Sequence, residues 1–328
     1  MAPAPLPLGP SSIKFGTDGW RGVLGVDITV DRLLPVAAAA AQELAHRAPA
    51  DLESRTVVIG YDRRFLAPEL AEAITAAVRG CELEPLLTET AVPTPACSWA
   101  VVERQALGAL VITASHNPPE WLGLKIKGPF GGSVEGDFTA AVERRLAAGG
   151  ITAPIQGSVA RFDGRGDHLD GLRRKLNIPG LISGLRAMNL KVIVDPMHGS
   201  AAGCVKDLLG PEGHQLVEEI RSERDPLFGG NPPEPLAPYL TELIAAVQSS
   251  TSAGTPAVGL VFDGDGDRIA AVDESGRFCS TQLLMPLLID HLARVRQLPG
   301  CIVKTVSGSD LMRRVAEAQG REVRELPV

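Results

Sequence analysis

A chain of 328 residues exceeds what one hydrophobic core ordinarily organises, so two or three domains are expected. With 45% hydrophobic and 22% charged residues, the composition is that of a soluble globular protein. Thirty-two Lys and Arg against thirty-nine Asp and Glu leave a net charge of −7, which excludes a general attraction to nucleic acid or an acidic membrane. A small anionic ligand would need a local basic site.

The opening stretch, MAPAPLPLGPSS, lacks the basic and apolar regions of a signal peptide and reads as a short disordered lead. The apolar run LLPVAAAAAQELA at 33–45 is too short to span a bilayer and predicts a core helix. Next comes a pattern that appears three times: an apolar strand, a polar loop, an amphipathic helix, a glycine and a second short strand. The first copy is TVVIGYDRRFLAPELAEAITAAVRGCELEPLL at 56–87, with Ala71, Ile74, Ala77 and Val78 on one helical face. A buried strand at 109–112 and a helix at 137–147 follow, and the Gly-rich stretch 147–166 marks a domain boundary near 152.

The second copy is LKVIVDPMHGSAAGCVKDLLGPEGHQLVEEI at 190–220. After it come an apolar strand near 259 and a helix containing Leu283 to Val295, with a second boundary at RQLPGC, 296–301. The third copy, CIVKTVSGSDLMRRVAEAQGREVREL, fills 301–326. Strand-helix-strand units with short crossovers imply parallel strands covered by helices, an α/β architecture. One such unit cannot bury both faces of a sheet, so the last reads as an incomplete domain that is loosely held or paired with another chain. The five cysteines (Cys81, Cys97, Cys204, Cys279, Cys301) are scattered without metal-site spacing and read as reduced thiols of a cytosolic protein.

Three stretches carry chemistry. In ALVITASHNPPEWLGLKIKG, 109–128, a buried strand runs into a loop presenting Ser115, His116 and Asn117, with Lys125 beyond. A serine hydroxyl needs a nearby base or a prior covalent group such as phosphate. Adjacent residues on an extended loop point apart, which argues against a Ser115–His116 relay, and no G-x-S-x-G elbow is present. Taken alone, the loop also reads as an ordinary polar turn.

In GLVFDGDGDRIAAVDESGRF, 259–278, Asp263, Asp265 and Asp267 alternate with glycines directly after a strand. Carboxylates so close repel one another unless a cation neutralises them, and hard oxygen ligands suit Mg²⁺. A calcium EF-hand loop is the rival reading, because Glu274 occupies the twelfth position. It fails because Arg268 stands where the sixth-position glycine belongs and the flanks read as strands. In IKFGTDGWRGV, 13–23, Gly16, Gly19 and Gly22 permit a close backbone turn, and Arg21 offers a fork suited to phosphate. By itself that stretch is equally a hairpin with a surface arginine. Together, a divalent-metal site, two arginines, a serine and a lysine on glycine-rich loops are the parts that phosphoryl transfer needs.

These stretches also carry a resemblance. GTDGWRG (16–22), GYDRR (60–64), TASHNPPEWLGLK (113–125), DPMHGSAAG (195–203), DPLFGGNPPEP (225–235), DGDGDR (263–268) and KTVSGSDL (304–311) resemble, in order, the motifs of the α-D-phosphohexomutase superfamily, bacterial phosphoglucomutase/phosphomannomutase group. The resemblance implies two complete three-layer α/β/α domains with mixed sheets, at 1–152 and 153–298, and the start of a third at 299–328. The chain ends where the family continues into the rest of its sugar-recognising third domain and a phosphate-binding fourth. It also carries Leu122-Gly123 where the family usually has Asn-Gly.

Carried over by position, Ser115 is the phosphorylated serine. By the same resemblance Asp263, Asp265 and Asp267 would hold Mg²⁺ with a phosphoserine oxygen, and Lys125 would be the general acid-base candidate. Arg21, His116, Asn117 and Arg268 would orient phosphoserine or substrate. The implied reaction interconverts hexose 1-phosphate and hexose 6-phosphate, of glucose or mannose, with a hexose 1,6-bisphosphate as intermediate and activator. The chain is expected to be cytoplasmic, monomeric or weakly dimeric, without nucleic-acid or membrane partners, and to bind Mg²⁺ but turn over poorly. The alternatives are phosphoglucosamine mutase and a non-catalytic two-domain protein binding Mg²⁺ or phosphosugar.

Overall fold

The computed structural model describes residues 9–327, so most of the lead at 1–12 lies outside the described residues. The first unit contains β1 (Trp20–Val23), α1 (Val30–His46), β2 (Thr56–Tyr61), α2 (Ala67–Gly80), β3 (Glu84–Thr88), α3 (Thr94–Glu103), β4 (Gly108–Ile112), β5 (Trp121–Lys127), α4 (Gly136–Ala148) and β6 (Ala160–Phe162). Its sheet runs β1-β5-β4-β2-β3-β6. The β2, β3, β4 and β6 pairings are parallel, while β5 is antiparallel to both β4 and β1.

Strand alternation decides what each helix covers. Val57 and Ile59 of β2 and Leu110 and Ile112 of β4 face a core built with α1, α2 and α4. The intervening Val58, Ala109 and Val111 face α3 through Ala96, Cys97, Ala100 and Val101. That is the expected three-layer α/β/α arrangement with a mixed sheet. The core helix read at 33–45 is α1, whose alanines 37 to 41 have no exposed surface. Ala71, Ile74, Ala77 and Val78 form the buried face of α2. Leu122 has no exposed surface and fills the same core.

The boundary placed near 152 precedes β6, which pairs with Leu86–Thr88 of β3, so the first sheet extends to Phe162. A helical pair, α5 (Gly164–Lys175) and α6 (Ile178–Ala187), leads into the second unit. This adds β7 (Lys191–Asp195), α7 (Cys204–Leu209), β8 (Val217–Glu219), α8 (Thr241–Ser252), β9 (Ala257–Phe262), β10 (Ile269–Val272) and β11 (Phe278–Cys279), in sheet order β11-β10-β9-β7-β8. Parallel β7, β8 and β9 and antiparallel β10 and β11 again make a mixed sheet. Leu243 and Val247 of α8 cover one face, and Ile182 of α6 with Leu209 of α7 cover the other.

Beyond α9 (Thr281–Asp290), which continues as π-helix to Val295, lie β12 (Ile302–Thr305), α10 (Asp310–Ala318) and β13 (Val323–Leu326), with β12 and β13 parallel. Ile289 of α9 packs against Met312 and Ala316 of α10. The boundary drawn at 298 therefore divides packed partners, because α9 presents apolar side chains to the segment that follows it. Among the described residues no helix is long and apolar enough to cross a membrane.

Candidate active site

Two loops at the carboxyl ends of β4 and β9 meet between the first two units. The β4 loop carries Ser115 in a left-handed turn, φ 54°. Thr113 fixes that turn: its Oγ1 accepts from the Ser115 amide at 2.8 Å and donates to Asp62 Oδ2 at 2.6 Å. Arg64 then draws in the loop, donating to the carbonyls of Ser115 (2.8 Å), Asn117 (2.6 Å), Pro118 (2.8 Å) and Trp121 (3.1 Å).

The β9 loop is pinned from within. Asp263 Oδ1 accepts the amides of Asp267 at 3.0 Å and Arg268 at 3.1 Å. Glycine at 264 permits the approach to the serine loop, since a Cβ there would stand 2.6 Å from the Ser115 carbonyl oxygen. Across the junction the Ser115 hydroxyl donates to Asp263 Oδ2 at 2.7 Å, and Thr94 Oγ1 donates to Asp265 Oδ2 at 2.5 Å.

Asp263, Asp265 and Asp267 offer carboxylate oxygens that all lie within 4.8 Å of one another. Burial, reinforced by repulsion from Asp265 and Asp267, pushes the Asp263 carboxyl well above the usual range. Asp265 Oδ1 is buried without a hydrogen-bond partner. Hard oxygen donors, mutual repulsion and an unpartnered carboxylate oxygen fit a divalent cation such as Mg²⁺.

Lys125, on β5, has a side chain only 1% exposed and places its ammonium 2.7 Å from Asp18, 2.8 Å from Asp265 and 2.6 Å from Asp267. Burial opposes that charge, but Asp265, Asp267 and Asp18 overcome it and hold the ammonium above the usual lysine range. Arg21 donates to Asn117 Oδ1 at 2.9 Å, which joins β1 to the serine loop. Arg268 contributes its backbone amide, while its guanidinium makes no hydrogen bond among the described residues.

The expectation that Ser115 and His116 point apart is corrected: Ser115 Oγ lies 3.4 Å from His116 Nδ1. The left-handed turn at Ser115, absent from an extended loop, brings the two side chains to the same side. Burial, with Arg268 and Arg21 nearby, pushes the His116 imidazole down to about 4, so it is neutral near pH 7. Its Nε2 lies 4.0 Å from Glu234 of the second unit.

Sequence reasoning assigned no role to Asp18, Asp62, Arg64, Thr94 or Glu234. Asp18 lies inside GTDGWRG, and Asp62 and Arg64 inside GYDRR, so a signal was present. What it lacked was the partner, 51 or more residues away for each contact described above.

The family description "phosphoglucomutase/phosphomannomutase, alpha/beta/alpha domain I" matches residues 12–150, and the corresponding domain II description matches 167–276. The phosphoglucosamine mutase of Synechococcus sp. strain RCC307 is 30% identical over 332 aligned positions, covering 99% of this chain and 67% of that protein.

The chain belongs to the phosphoglucomutase/phosphomannomutase family.

A second phosphohexomutase relative, the phosphoglucosamine mutase of Nostoc punctiforme, is 30% identical over 312 positions, 92% of this chain and 59% of its own length. A solved structure from Thermus thermophilus, described as a candidate phosphomannomutase, superposes with a TM-score of 0.83 at 32% identity, over 97% of this chain and 70% of that one. The chain thus spans between 59% and 70% of the length of these phosphohexomutase-family relatives.

Proposed function

We propose that the protein is a phosphohexomutase that transfers a phosphoryl group between Ser115 and a hexose phosphate. The observation that carries this reading is the 2.7 Å contact of the Ser115 hydroxyl with Asp263, made across the junction of two units beside the buried Lys125 ammonium. The serine thus faces a carboxylate cluster suited to a cation. Mg²⁺ held by Asp263, Asp265 and Asp267 with a phosphoserine oxygen would neutralise the charge of the transferring group.

The residues divide the remaining work. As the phosphorus–Oγ bond of phosphoserine breaks and a bond to a sugar hydroxyl forms, Ser115 Oγ must gain a proton and the sugar hydroxyl must lose one. Lys125, an ammonium in this arrangement, gives its proton to Ser115 Oγ and, as the amine so formed, takes the proton of the sugar hydroxyl, ending as an ammonium; the reverse half-reaction runs the same relay backwards. Arg21 and Asn117 orient the phosphoryl oxygens, the exposed Arg268 guanidinium offers a second fork for them, and His116, neutral at pH 7, serves as a hydrogen-bond partner of the serine. A hexose 1,6-bisphosphate formed in one half-reaction returns its other phosphate to Ser115 in the next.

Two sugar classes compete. The sequence motifs favour glucose or mannose phosphates, while the names of the relatives at 30% identity favour glucosamine phosphate. The test is mutase turnover of glucose 1-, mannose 1- and glucosamine 1-phosphate, with Mg²⁺ and catalytic hexose 1,6-bisphosphate, by wild type and Ser115→Ala. The expected result is turnover of at least one sugar that falls by ~10⁴-fold or more in the variant, the scale on which loss of a nucleophile acts. Equal turnover by the two proteins would overturn the reading.

A further inference from the structure

The Lys125 ammonium has three carboxylate partners of two kinds. Asp265 and Asp267 belong to the triad that a divalent cation would claim, whereas Asp18 belongs to the turn before β1, in the same unit as the lysine. A cation at the triad would repel the ammonium and draw on the carboxylates that now bind it. Asp18 is the partner that such a cation leaves in place.

Two further features fix Asp18. Its second oxygen, Oδ1, accepts from Ser133 Oγ at 2.8 Å and lies 3.5 Å from the ammonium of Lys127. Lys127, two residues along β5 from Lys125 and on the same face, has a side chain 8% exposed and donates to Ser133 Oγ at 2.8 Å. Among the described residues Asp18 is the one carboxylate within ion-pair distance of Lys127. The turn itself is seated on the backbone of Lys125: at Gly19, φ 105°, a Cβ would meet the Leu124 carbonyl oxygen at 2.6 Å and Lys125 Cα at 3.1 Å. Asp18 and Lys125 are therefore joined through backbone as well as charge.

We propose that Asp18 is the positioning residue of Lys125, the acceptor that keeps its ammonium in the site when a divalent cation takes over Asp265 and Asp267. Lys127 and Ser133 hold Asp18 for that task. The task assigned to Lys125 rests on the phosphohexomutase reading, but its position can be measured without turnover.

The experiment is amine labelling with acetic anhydride, read at Lys125 by peptide mass spectrometry, with and without saturating Mg²⁺, alongside calorimetric titration with Mg²⁺. The proteins are wild type, Asp18→Asn and the double variant Asp18→Asn/Lys127→Met, which removes the cation that the single variant would leave buried and unpaired. Lys125 is expected to stay protected in wild type under both conditions, and to become labelled on addition of Mg²⁺ in both variants, which still bind the ion. Where turnover is measurable, kcat is expected to fall ~100-fold, the low end of a general acid-base contribution, with KM little changed and partial rescue by Asp18→Glu. Equal protection of Lys125 in the Mg²⁺-loaded double variant and wild type would overturn the proposal, as would failure of wild type to bind Mg²⁺. Wild type that labels as expected yet shows no turnover would instead count against the phosphohexomutase reading and leave the role of Asp18 standing.

Discussion

Burying a guanidinium costs several kcal/mol unless its donors are paired, and Arg64 has no exposed surface. Its terminal nitrogens serve four carbonyls of the loop that carries Ser115. Its Nε makes no hydrogen bond and is compensated only by the charge of Asp62 at 3.3 Å, while its guanidinium carbon lies over the Phe228 ring of the second unit at 4.9 Å. Arg64→Met is expected to cost ~3–5 kcal/mol in urea unfolding, because Asp62 is left buried without its partner. Arg64→Lys keeps the charge but not the fork, so its loss should be intermediate. Asp62 adds a pH dependence. Burial, only partly offset by Arg64 and Thr113, pushes its carboxyl up to about 6. The folded chain then holds this proton more tightly than the unfolded chain does. The associated stability is full below the ordinary carboxylate range and is lost as pH rises through about 6. Relative to Asp62→Asn, wild type should therefore lose stability between about pH 4 and 6, and a rise over that interval would contradict the assignment.

The elements that position the site are short turns whose conformation requires particular residues. Gly19 is the clearest, and Gly19→Ala should cost ~1–3 kcal/mol by thermal or urea unfolding, because it forces a side chain into an unfavourable φ and against β5. Much of this level was legible in the sequence. The Ala71, Ile74, Ala77 and Val78 spacing marked a buried helix face, and the apolar runs before Ser115 and Asp263 marked strands ending at chemical loops. What stayed hidden had a physical reason. In β6 only Phe162 is buried, so no apolar pattern announces a sixth strand. The left-handed turn at Ser115 is set by Thr113, Asp62 and Arg64 together, and local spacing cannot report it. Lys127 reads as a surface lysine until Asp18 and Ser133 are brought beside it.

At the scale of the molecule, the site exists because two α/β/α units present loops to each other. Ser115 meets Asp263, Thr94 meets Asp265, Lys125 meets Asp265 and Asp267, and Arg64 meets Phe228, every contact crossing the same junction. A cation bound at the triad should tighten both units. Mg²⁺ at 100 times its dissociation constant is expected to add about 2.7 kcal/mol of stability, and Asp265→Asn should lose most of that gain in a thermal shift measurement. The central claim, that Ser115 carries a phosphoryl group, is tested most directly by incubating the protein with Mg²⁺ and glucose 1,6-bisphosphate and locating phosphate by peptide mass spectrometry. Phosphate on Ser115 that requires Mg²⁺ and disappears in Asp263→Asn is the predicted result; an unmodified Ser115, or phosphate on another residue, would contradict the account.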